Sequence, residues 1–122
     1  KGNLARTYFM EPPASNHEMV WTDLNYMRCL NAAQSRRRVE QHICPLPLDI
    51  CERIVKLYSN MGDVVLDPFG GLMSVPYTAI KLGRYGYGIE LNPAYFRDGI
   101  QYLADAERDV LAPSLFDLVA VA

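Results

Sequence analysis

The chain has 122 residues, half of them apolar, with 21% charged residues and a formal net charge of −2, which describes one globular domain or part of one. No apolar run approaches the length needed to cross a bilayer, and the first residues lack the charged-then-apolar pattern of a secretion signal, so a cytoplasmic protein is expected. Cys29, Cys44 and Cys51 are odd in number and contain no C-x-x-C pair, which argues against a disulfide framework. His42, Cys44 and Cys51 match no common zinc spacing and lack a fourth ligand, so no metal is expected.

Residues 1–20 show no sustained period, and Glu11-Pro12-Pro13-Ala14-Ser15-Asn16 is a cluster of helix and strand breakers. An extended arm carrying Tyr8, Phe9, Met10 and Met19 is expected there. Trp21 to Leu30 is ambiguous: Leu24, Met27 and Leu30 recur at helical spacing for two turns. Asn31 to His42 is polar and reads as a loop. The chain through Pro45 holds six basic residues against four acids, and the remainder six against ten. A polyanion contact would therefore centre on Arg36, Arg37 and Arg38. The alternative for three adjacent arginines is a solvated surface.

After Pro45 and Pro47, residues Ile50, Cys51, Ile54, Val55, Leu57 and Tyr58 repeat at three and four, predicting a helix that buries them and leaves Asp49, Glu52, Arg53 and Lys56 outside. Asn60-Met61-Gly62 ends it. Val64 to Leu66 then reads as a buried strand that stops at Asp67-Pro68-Phe69-Gly70-Gly71. Ser74 is the expected N-cap of a second helix, with Pro76 in its first turn and Gly83 as its stop. Gly86 to Glu90 is the second strand. Asn92-Pro93 opens a third helix carrying Phe96, Ile100, Leu103 and Val110 on one face. The expected order is helix, strand, helix, strand, helix, with parallel strands joined by a right-handed crossover. Two strands leave such a sheet open, so the apolar tail from Leu111 to Ala122, or a partner, is expected to complete it.

Two acids, Asp67 and Glu90, thus fall at the carboxyl ends of neighbouring parallel strands, where open α/β sheets bind nucleoside cofactors. A triphosphate is disfavoured because Gly70-Gly71-Leu72-Met73-Ser74 offers no P-loop lysine. A dinucleotide is disfavoured because G-x-G-x-x-G is absent and Asp67 would repel phosphate. A phosphate-free, positively charged cofactor such as S-adenosylmethionine fits both acids. The alternative is that Asp67 only caps its turn and Glu90 is an exposed strand-end acid.

Three segments carry a more specific signal: His42-Ile43-Cys44-Pro45-Leu46-Pro47-Leu48, Asp67-Pro68-Phe69-Gly70-Gly71, and Gly88-Ile89-Glu90-Leu91-Asn92-Pro93-Ala94-Tyr95-Phe96. In this order and spacing they resemble the C-terminal part of a DNA amino-methyltransferase, of the subgroup whose catalytic motif precedes its cofactor motifs. The resemblance covers about Trp21 to Leu103. It implies a Rossmann-like S-adenosylmethionine-dependent methyltransferase fold, α/β and present only in part. Residues 1–41 would be the end of a target-recognition region, 42–110 the cofactor-binding α/β unit and 111–122 an apolar tail. The segment His42 to Leu48 would pack along the methionine part of S-adenosylmethionine, with His42, Cys44 and Pro45 as its binding residues. Asp67, Pro68, Phe69, Gly70 and Gly71 would form the floor beneath it. Glu90 would bind the ribose hydroxyls with Asn92 beside it, and Arg36, Arg37 and Arg38 would track DNA phosphates.

The reaction implied is methyl transfer to the exocyclic amine of a flipped adenine, less readily cytosine, as in restriction-modification systems. Two departures qualify it. The acid-or-asparagine, proline, proline, aromatic tetrapeptide of the family is missing, and Glu11-Pro12-Pro13-Ala14 lacks the aromatic that would stack on the base. Catalysis would then require a portion upstream or on another chain, and this chain alone is expected to be inactive. Met73 stands where the family usually has a second glycine, and is expected to crowd the helix entrance and lower cofactor affinity. The competing function is a non-catalytic module of the same fold that binds a nucleoside or a partner. The partners implied are DNA, the missing catalytic portion, and, as an open alternative, a second copy of the chain, with no membrane.

Overall fold

Two prolines set where the first helix starts. The computed structural model describes residues 20–30 and 45–112. Pro47 holds an extended conformation (φ −61°, ψ 132°), and helix α1, Leu48–Tyr58, begins at the next residue. Asp49 lies in its first turn and Lys56 in its last, as the helix dipole favours. Its buried stripe is Leu48, Cys51 and Val55. Ile54, Leu57 and Tyr58 are exposed, whereas Arg53 and Lys56 are half-buried. This corrects the expected division of the helix into an apolar inner face and a charged outer one.

The cause is a strap formed by residues 20–30. Their helical spacing is not realised: the segment runs irregularly with a turn at Tyr26–Met27, and Met27 is exposed while Leu30 is buried. Arg53 pairs with Asp23 at 2.5 Å and lies 4.8 Å from the centre of the Trp21 ring. Arg28 bridges Asp49, at 2.8 Å, and Glu52. The main chain joins in, with the Leu48 amide donating to Arg28 O at 2.8 Å. The charged face of α1 is therefore covered by the strap.

Strand β1, Val64–Asp67, leads through the glycine turn into helix α2, Ser74–Lys81, and then to strand β2, Tyr85–Gly88. The strands are parallel, pairing Val64 with Tyr85 and Asp67 with Gly88. Beyond Gly88, which is where the strand ends rather than at Glu90, Ile89 still donates to Asp67 O at 2.9 Å. Side-chain alternation turns Val65, Gly86 and Gly88 toward α2. The glycines are required there, since a Cβ on Gly86 would stand 2.7 Å from Pro76 Cα. The opposite face carries Val64, Leu66, Tyr85 and Tyr87, which are 58–66% exposed.

Helix α2 packs against both strands and is flanked by α1 and by helix α3, Pro93–Leu111. Ser74 is its first residue rather than its cap. Met73 occupies the N-cap position without a side-chain cap bond. Asn92 caps α3 as expected, its Oδ1 accepting from Ala94 N at 2.9 Å. The residues of α3 that are fully buried are Gly99 and Ala106. Phe96, Ile100 and Val110, expected inside, are exposed, and Leu103 is half-buried. Small side chains let α3 approach closely, so the small-residue stripe wins the inner face from the bulkier one. Leu30, Leu48 and Leu72 form a cluster against which Tyr77, Tyr95 and Tyr102 pack. The fold is thus the expected α/β unit, with three helices and two parallel strands among the described residues.

Candidate functional site

Of the two acids identified from the sequence, Asp67 ends β1 and Glu90 lies two residues beyond β2, and the structure brings both to the same glycine turn. Asp67 Oδ1 accepts from Phe69 N at 3.0 Å, closing the turn that ends β1. This is the turn-capping role that an aspartate before proline favours. Glu90 reaches back across the strand ends. Its Oε2 accepts from Gly71 N at 2.7 Å and its Oε1 from Asn92 N at 2.7 Å. The carboxylate is thereby bonded to the turn after β1 and to the residue that caps α3. A further bond, Gly70 N to Ile89 O at 2.8 Å, runs beside it.

These bonds fix the floor of a cleft of about 170 Å³ lined by Pro45, Leu46, Asp67, Phe69, Gly70, Gly71, Leu72 and Ser74. Five of the residues expected to bind a cofactor, Pro45, Asp67, Phe69, Gly70 and Gly71, line it. Pro68, Glu90 and Asn92 do not: Pro68 lies in the turn, Glu90 holds it from the side, and Asn92 N donates to Glu90. Leu72 and Ser74 were not identified from the sequence. Their signal is continuity, since a turn that feeds a helix presents the first helical residues to the same space. His42, Cys44, Arg36, Arg37 and Arg38 lie outside the described residues, as does Glu11-Pro12-Pro13-Ala14.

The wall opposite the floor is anchored by the strap. Cys29 Sγ donates to Pro45 O at 3.7 Å, and Leu30 packs with Leu48 and Leu72. Arg28 is held charged by Glu52 and Asp49. Asp49 lies below the usual carboxylate range because it accepts from the Asn25 amide and from Arg28. Cys51, buried beneath the site, has its thiol pushed up to about 11 by burial. It is a packing residue at neutral pH rather than a nucleophile.

Met73 sits inside the turn with φ 64° and ψ 34°, the left-handed conformation that costs a non-glycine residue about 1–2 kcal/mol. It is only 1% exposed. Its side chain points away from the cleft, toward Gly70, Gly88 and Gly99, where a Cβ on Gly70 would meet Met73 Sδ at 2.6 Å.

Comparison with known proteins identifies a family for the chain. The family profile described as DNA methylase, of the N6/N4 type, matches residues 2–101. The DNA adenine methyltransferase YhdJ of Escherichia coli (strain K12) is 41% identical over 64 residues, which is 52% of this chain and 22% of that protein. The type II methyltransferase M.MthZI of Methanothermobacter thermautotrophicus is 36% identical over 86 residues, 70% of this chain and 23% of that protein. A Thermus thermophilus protein, solved as a DNA modification methylase complexed with S-adenosyl-L-methionine, is 40% identical with a TM-score of 0.48. That match covers 51% of this chain and 26% of the solved one. The chain thus spans about a quarter of the length of these relatives.

Proposed function

The chain belongs to the N6/N4 DNA methylase family, and on that premise we propose that residues 45–112 are the S-adenosylmethionine-binding part of an enzyme that methylates the exocyclic amine of adenine in DNA. The observation that carries this reading is the Glu90 clamp. A carboxylate bonded through both oxygens to Gly71 N and Asn92 N has a fixed position beside the cleft. A carboxylate is an acceptor-only group with about four lone-pair sites, which suits hydroxyl donors such as those of a ribose. Asp67 lies on the cleft floor, where a negative charge favours the cofactor's ammonium and sulfonium over any phosphate. Bound there, the cofactor would supply the methyl group. Pro45 and Leu46 supply an apolar wall for its aliphatic part.

The assignment of adenine follows the name of the Escherichia coli relative. The base-binding and target-reading residues belong to the remaining three quarters of such a protein, on the same polypeptide or on a partner. Arg36, Arg37 and Arg38 would contact DNA phosphates next to them.

Calorimetric titration of the chain with S-adenosylmethionine tests the reading, with Asp67→Asn and Glu90→Gln beside it and circular dichroism to confirm folding. Binding that either substitution weakens strongly is the expected result. A folded chain that shows no heat at millimolar ligand overturns it and leaves a non-catalytic module of the same fold.

A further inference from the structure

We infer that Met73 is a positioning residue of the cofactor turn, a plug whose side chain holds the cleft floor in place rather than an obstruction of the cleft. The inference rests on the cofactor reading above, but its geometry is independent of it. Gly70, Gly71, Leu72 and Ser74 all line the cleft, and the residue between them does not. Its side chain goes the other way, into a hollow bounded by three residues that lack a side chain and come from three different places. Gly70 belongs to the turn, Gly88 to the end of β2, and Gly99 to the middle of α3. A Cβ on Gly99 would stand 2.5 Å from Met73 Cγ, and a Cβ on Gly88 would overlap Met73 Sδ. The thioether thus occupies the space that three glycines leave open.

The backbone completes the arrangement. Met73 N donates to Gly70 O at 2.6 Å and Met73 O accepts from Tyr77 N at 2.8 Å, so the residue links the turn to the first turn of α2. Glycine would adopt the left-handed conformation of this position without strain. Methionine adopts it at a cost that burial of its side chain must offset. A flexible, unbranched side chain suits an irregular hollow of this kind. Without the plug, Gly70 would rest over a void, and the turn would be restrained by its backbone bonds to Ile89 O and Met73 N and by the Glu90 bond at Gly71.

The experiment compares the full chain with Met73→Ala, Met73→Gly and Met73→Leu, well below the melting temperature of each. Two readouts are taken: amide hydrogen exchange at Gly70 and Gly71 against Ala79, and affinity for S-adenosylmethionine. For Met73→Ala and Met73→Gly, exchange at both glycines accelerates more than at Ala79, and affinity falls by about tenfold or more. Met73→Leu, close in volume, restores both to within about threefold of the parent. Unchanged or tighter binding in Met73→Ala or Met73→Gly overturns the inference and makes Met73 an obstruction. If the parent chain itself binds no cofactor, the cofactor reading fails. The exchange ratio then decides the inference alone: selective acceleration at Gly70 and Gly71 upholds the plug, and uniform acceleration refutes it. Should Met73→Ala and Met73→Gly not fold, Met73→Leu decides, a selective loss of affinity at unchanged exchange counting against the plug.

Discussion

The amide of Gly71 donates to Glu90 Oε2 across 2.7 Å, so the acid two residues beyond the second strand holds the turn that follows the first. The same carboxylate accepts from Asn92 N. Glu90→Gln keeps the shape but turns an NH2 toward one of two backbone donors. A loss of about 1–3 kcal/mol in stability is expected, from one charge-assisted bond removed and one amide left without an acceptor. Urea unfolding measures it, with the slope unchanged. A midpoint equal to the parent's would show that the clamp contributes nothing to the fold.

Gly99 provides a test with an unusual sign. In the middle of a helix, glycine to alanine ordinarily stabilises by about 1 kcal/mol. Here the added Cβ would stand 2.5 Å from Met73 Cγ, so Gly99→Ala is expected to destabilise by about 1–3 kcal/mol. In a Met73→Ala background the ordinary sign should return. A double-mutant cycle in urea reads the difference, and additivity of the two substitutions would mean that the side chains are not in contact.

Much of this was legible in the sequence, and the misses share a cause. Val64 to Asp67, the Asn92-Pro93 start and the Gly83 stop carry local signals: β-branched residues, a cap, and a left-handed glycine with φ 76°. Which face of α1 would be buried is not local information. Arg53 reads as outward, and its pairing with Asp23 of the strap, thirty residues earlier in the chain, decides otherwise. Helix α3 misled for a different reason. Hydrophobic periodicity weights large residues, so Phe96 and Ile100 outscored Gly99 and Ala106, whose smallness is what fits α3 against its neighbours. At the site, Asp67 and Glu90 were found from their position at the strand ends. That Glu90 clamps Gly71 was not foreseeable, because the bond depends on strand register. The direction of the Met73 side chain was likewise invisible, since it follows from the sign of one φ angle.

Acid should loosen the strap in a defined window. Asp49 is held below the usual carboxylate range, first by the Asn25 amide and then by Arg28. Its contribution to stability is therefore complete above the unfolded value of about 3.9, and lost as pH falls from there through the lowered folded value. Arg28→Ala removes the second of the two partners. With Arg28 about half exposed, solvent screening limits the effect to about 0.5–1 kcal/mol at neutral pH. The difference between variant and parent should shrink between neutral pH and about pH 3, as Asp49 begins to bind a proton in the unfolded chain. Urea midpoints at the two pH values check this. A gap that persists undiminished in acid would assign the effect of Arg28 to packing instead.

The sheet face that is exposed among the described residues, which stop before most of the apolar tail expected to complete the sheet, makes a prediction about solubility. Leu66 and Tyr87 are paired across the strands and are 59% and 58% exposed. Replacing both with lysine should change the stability of this chain by less than about 1 kcal/mol, since little burial is lost. It should also suppress concentration-dependent association, which light scattering follows. A cooperative loss of folding in the double variant would show that this face is covered within the chain.

The Glu90 clamp has a genealogical consequence. Asp67, the glycine turn, Glu90 and Asn92 lie in one uninterrupted stretch of polypeptide, and the bonds from Phe69 N to Asp67 and from Gly71 N and Asn92 N to Glu90 all fall within it. A gene rearrangement that breaks the chain before Val64 or after Leu111 moves β1, the turn, β2 and α3 as a block and keeps both partners of each of those bonds on it. Such a block can keep its internal bonds while the parts around it are reordered, which is a physical condition under which one enzyme architecture can exist in several circular permutations.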